Sequence, residues 1–126
     1  MSTTTITTTH SNTARMDVHE MARQLNSHLG PTLVAALTGA TDEARAIEWA
    51  KPDGPEPPHD AARRLVLAHR VWAQVAAAES DDITRAWFIG GNPLLGDHIP
   101  LTAILGDRGP DVMAAVRAFL EGRPDV

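Results

Sequence analysis

A chain of 126 residues has room for one domain, and the absence of cysteine excludes disulfides, thiolate nucleophiles and thiolate metal sites. A formal net charge of −5 argues against broad electrostatic attachment to phosphate backbones or anionic membranes. No window reaches the roughly 18 apolar residues of a membrane-spanning helix and the Thr-rich start lacks a basic stretch followed by an apolar one, so a soluble cytoplasmic protein with no membrane partner is expected.

Residues 1–16 are low in complexity and hold almost nothing to bury, which predicts a disordered tail. From Asp17 the pattern turns helical. Val18, Met21, Ala22, Leu25 and Leu29 recur at three- and four-residue steps, with Asp17 as N-cap and Gly30-Pro31 as the stop. Leu33, Val34 and Leu37 continue on one side of a short second helix ending at Thr38-Gly39. Thr41 or Asp42 then caps a third helix that carries Ala46, Ile47 and Trp49 and stops at Lys51, because Pro52 disfavours helical geometry in the residue before it.

The stretch Pro52 to Pro58 holds four prolines in seven positions and reads as a stiff connector. Asp60 or His59 opens the longest helix, to about Glu79, with Leu65, Ala68, Trp72, Val75 and Ala76 as its apolar stripe. Ser80 or Asp81 caps a shorter helix that Gly90-Gly91-Asn92-Pro93 breaks after Ile89. Pro100 starts a brief helix closed by Gly106, and Pro110-Asp111 starts a last one whose Val112, Val116, Phe119 and Leu120 face inward and which Gly122 ends. No period-two strand is found, so the fold class is all-α, with a helix-turn-helix-like segment at 17–58, a spine helix and small helical domain at 59–122, and a tail at 123–126.

Few constellations carry chemistry. Ala35 and Gly39 hold the spacing of a helix-turn-helix corner, where a small residue lets two helices approach and glycine takes the left-handed turn, although a plain helical hairpin has the same signature. Thr41, Arg45 and Lys51 are the residues there that would meet DNA. Against them stand Asp42, Glu43, Glu48, Asp53, Glu56 and Asp60, which repel phosphates. The histidines, His10, His19, His28, His59, His69 and His98, share no metal-ligand spacing and read as solvated or packing residues. Asp81-Asp82 reads as helix capping, and Arg63 and Arg64 as solvent-facing residues pairing with Asp60 and its neighbours. With no phosphate-binding glycine loop, nucleophile elbow or carboxylate pair, neither an enzyme nor a cofactor is expected.

The densest segment is Arg85-Ala86-Trp87-Phe88 followed by Asn92-Pro93-Leu94-Leu95-Gly96 and Pro100-Leu101. Trp72 reads as core, whereas Trp87 and Phe88 are neighbours that point about 100° apart on a helix, so burying both in one core is harder and one of the two is open to a partner. Together with Leu33-Val34-Ala35, Gly39, Trp49, Pro57, Arg64-Leu65, Ala68 and the run from Val112 to Phe119-Leu120, this segment resembles the Xre/MbcA/ParS-type antitoxins over about residues 17–122. The resemblance implies a degenerate Xre-like helix-turn-helix joined to a toxin-binding domain. It further implies a non-enzymatic antitoxin that neutralises a cognate RES-domain toxin, of the NAD-consuming or ADP-ribosylating class, pairs with itself as a homodimer or higher oligomer, and represses its own operon. Partner-binding residues carried over are Trp87, Asn92, Pro93, Leu94, Leu95, Gly96 and Pro100, with Arg123 at the C-terminal end. The alternative expectation is an Xre-type transcriptional regulator that binds operator DNA without a toxin partner.

Overall fold

A computed structural model describes residues 16–122, and among them every regular element is helical, as the sequence leads one to expect. The tail expected over the first residues and the short tail from residue 123 lie outside the described residues, apart from Met16. Helix α1 spans Val18–Leu29, α2 Pro31–Thr38, α3 Glu43–Trp49, α4 His59–Ala76, α5 Asp81–Ile89, α6 Pro100–Leu105 and α7 Gly109–Glu121, with a 3₁₀ turn at Pro93–Leu95.

The helix ends follow the local chemistry. The Asp17 carboxylate accepts the His19 backbone N–H at 3.1 Å, the Asp42 carboxylate that of Arg45 at 3.3 Å, and the Ser80 hydroxyl that of Ile83 at 3.3 Å. Between α2 and α3, Gly39 sits at φ +83°, where a Cβ would be strained, and its N–H and that of Ala40 both reach the Ala35 carbonyl. Helix α3 ends two residues before the expected Lys51. Ala50 and Lys51 instead donate to the Ile47 and Glu48 carbonyls at 3.2 Å, tightening the chain ahead of Pro52. Helix α4 likewise stops at Ala76, short of Glu79, where the Ala78 N–H turns to the Val75 carbonyl at 3.0 Å.

With 18 residues, α4 is about 27 Å long and touches α1, α2, α5, α6 and α7. It buries Ala61, Leu65, Ala68, Val71 and Val75. Trp72, expected in the middle of this stripe, is only half-buried, and its indole meets the His28 and His69 rings at centroid distances of 4.7 and 5.4 Å. One hydrophobic cluster runs from Ala22 on α1 through Leu37, Trp49 and Leu65 to Phe88, Ile104 and Val116, so both halves of the chain contribute to it.

Trp87 and Phe88 are both buried, at 9% and 0% exposure, the harder arrangement for two adjacent helical positions. Helix α5 lies in a notch between α1, α4 and α6, so its buried sector is wide enough for two adjacent rings. The rings meet edge to face at 5.7 Å, and Trp87 also reaches Phe119 of α7 at 6.3 Å.

Candidate interaction surface

The segment after α5 is fixed by its own backbone. The Asn92 side-chain oxygen accepts the Leu94 N–H at 3.0 Å, while the Asn92 carbonyl accepts from Leu95 and Asp97, each at 2.9 Å. The Asn92 N–H closes the loop on the His98 carbonyl at 3.1 Å. Gly96, at φ +65°, turns the chain after the 3₁₀ turn, and Leu95 anchors the loop with a fully buried side chain. A rigid turn results, and it presents Leu94, 59% exposed, with Pro93 and Gly96 also on the surface.

The expected partner-binding residues therefore separate. Pro93, Leu94 and Gly96 are exposed and Asn92 is half-buried, whereas Trp87, Leu95 and Pro100 are buried. Arg123 lies outside the described residues. Sequence reading missed Ile83 and Ile89 on α5, which are 47% and 52% exposed with exposed Ala86 between them. These three recur at three-residue steps opposite the buried Thr84 and Phe88, a helical phase readable once the buried side of α5 is known.

At the α2–α3 corner, Thr41, Arg45 and Lys51 are all exposed. Thr41 and Arg45 line a cleft of about 360 Å³ with Trp49, Pro58, Asp60 and Arg64, and Lys51 is not part of that lining. Arg64 is less solvent-facing than expected. With a side chain 17% exposed, it donates to the Thr38 carbonyl at 3.0 Å and to Asp107 at 3.2 Å. Arg63 pairs with Asp60 as expected and also with Asp107, at 3.2 and 3.0 Å. Hydrogen bonds first from Arg63 and then from Arg64 hold the Asp107 carboxyl below its ordinary value.

Among the described histidines, His28 and His69 meet separate partners. His28 Nδ1 meets the Asp81 carboxylate at 2.9 Å, and burial pushes the His69 pKa down while its Nε2 bonds Gln24 at 2.7 Å. Asp82 pairs with Arg85, so Ser80 alone supplies the cap of α5 and both aspartates sit in its first turn, favourable to the helix dipole. Among the described residues no group of three or more His, Asp or Glu side chains is placed to hold a metal ion. No described helix is long and apolar enough to cross a membrane.

No protein-family profile matches this chain, and neither a curated protein nor a solved structure is significantly similar to it.

Proposed function

We propose that this protein is an antitoxin-like binding protein that captures and neutralises a RES-domain toxin of the NAD-consuming or ADP-ribosylating class. The observation that carries the reading is the rigid turn around Asn92 and Gly96, which holds Leu94 in solvent on a buried Leu95 anchor. An exposed leucine on a preorganised turn binds without a large ordering cost. The outer face of α5, with Ile83, Ala86 and Ile89, supplies further apolar area of the kind that marks protein contacts. Co-expression with a RES-domain toxin tests the proposal: a stable complex and restored growth support it, and the absence of both sinks it.

A second reading, a regulator that binds operator DNA as a homodimer, draws on the glycine corner between α2 and α3 and on exposed Thr41, Arg45 and Lys51. The acidic residues of the same region weigh against it, because a groove-binding element must neutralise phosphates. Titration of upstream DNA at low salt decides: a specific complex that weakens steeply with salt supports this reading, and none at all removes it.

A further inference from the structure

His19 is buried, at 6% exposure, near the start of α1, and both of its ring nitrogens face acceptors. Nδ1 lies 2.8 Å from the Trp49 carbonyl oxygen and Nε2 lies 2.7 Å from Oε2 of Glu56. A carbonyl only accepts, so Nδ1 must carry a hydrogen. The second contact then needs one more proton on the pair, either on Nε2 facing an ionised Glu56 or on the Glu56 carboxyl facing a bare Nε2. In either arrangement the contact exists only while the pair holds that shared proton.

Glu56 belongs to the proline-rich connector between α3 and α4, and its side chain is 79% exposed. Among the described residues, apart from the Gly54 N–H to the Lys51 carbonyl, at 3.0 Å, no backbone hydrogen bond ties residues 53–56 to the body of the protein. Once the proton leaves, Nε2 and the carboxylate become two acceptors face to face, and Glu56 has open water to move into. The Trp49 bond survives, because neutral His19 keeps its Nδ1 hydrogen.

We propose that the His19–Glu56 contact is a proton-held latch that fastens the connector to α1 and releases it when the shared proton is lost. Its effect reaches the cleft at the α2–α3 corner, because Trp49 and Pro58, at the two ends of the connector, are among the cleft's lining residues. Among the described residues, the charged groups acting on His19 are Asp17, the N-cap of its own helix, and Glu56 on the connector. Helix α3 supplies the Trp49 carbonyl, and α2, α4 and α5 add no charged group. The Trp49 hydrogen bond first, and the Glu56 hydrogen bond second, hold the His19 pKa above its ordinary value, so the latch is closed in acid and opens as pH rises through that raised midpoint.

Nuclear magnetic resonance titration of the whole chain and of Glu56→Gln tests this, since the substitution changes an exposed side chain and leaves the core intact. The wild-type His19 ring should titrate above about 6.5. The Gly54 and Glu56 amides should follow the same midpoint, and the heteronuclear Overhauser effects of residues 53–56 should fall on its alkaline side. In Glu56→Gln the His19 midpoint should drop and the connector amides should lose their titration. A wild-type midpoint at or below about 6.5, connector amides that ignore it, or a midpoint unmoved by Glu56→Gln would each overturn the latch.

Discussion

Arg64 of the spine helix donates its Nη1 hydrogen to the Thr38 carbonyl at 3.0 Å, closing the C-terminal end of α2 with a side chain from α4. A Cβ on Gly39 would come to 3.2 Å from the same nitrogen, a tight approach that the guanidinium would have to yield to, while φ +83° is what favours glycine here. The other guanidinium edge grips Asp107, which sits at φ +60° in the turn before α7. One half-buried arginine thus joins three parts of the fold.

Arg64→Ala should lower unfolding stability by about 1–3 kcal/mol, since it leaves the Thr38 carbonyl unpaired and takes a half-buried partner from Asp107. Arg64→Lys should recover only part of the loss, because one ammonium does not reproduce two edges of a guanidinium. Urea denaturation of the three proteins measures the series.

Trp87→Ala should cost about 3–5 kcal/mol and lower the unfolding temperature, as expected where an aromatic side chain is removed from a core. Leu94→Asp, on an exposed side chain, should change stability by less than about 0.5 kcal/mol. Calorimetric unfolding separates them: equal destabilisation would place Leu94 in the core with Trp87.

Gly96→Ala should destabilise the turn by about 1–2 kcal/mol, because φ +65° brings Cβ against the following carbonyl. Asn92→Ala should add a loss of about 0.5–2 kcal/mol by leaving the Leu94 N–H without its side-chain acceptor. Hydrogen exchange at Leu94 to His98 should quicken in both variants ahead of exchange in α4.

His69 opposes His19 in its pH dependence. Burial depresses its folded-state pKa, so its contribution to stability is present above about pH 6.5 and is lost as pH falls toward the lower folded value. His19 has a raised folded pKa, so its contribution is complete below about pH 6.5 and fades as pH rises through the folded midpoint. In His69→Gln the acid-side loss should disappear, seen as a smaller fall in stability between pH 7 and pH 5 than in the wild type.

Much of the fold was legible because its signals are local. Asp17, Ser80, Gly30, Gly39 and Pro100 punctuate helices through their own backbone chemistry, and the structure places the corresponding ends where the sequence sets them. The 3₁₀ turn at Pro93–Leu95 and the early stops of α3 and α4 depend on hydrogen bonds that shift by one residue, which periodicity does not encode. The candidate surface was half legible. Exposure of Leu94 and burial of Leu95 depend on how the turn docks on α7, and two adjacent rings are both buried only because α5 has neighbours on several sides. The His19–Glu56 contact joins residues 37 positions apart, so no local pattern announces it.

The proposed capture of a RES-domain toxin rests on the surface around Leu94 and Ile89. Affinity co-purification of the full chain, and of Leu94→Asp and Ile89→Asp, with a RES-domain toxin, alongside growth rescue and circular dichroism, tests this surface. The wild-type chain should form a complex that restores growth, and either variant should weaken it at least tenfold while helicity is unchanged. A wild-type chain that neither binds the toxin nor restores growth, or folded variants that bind as well as the wild type, would contradict it.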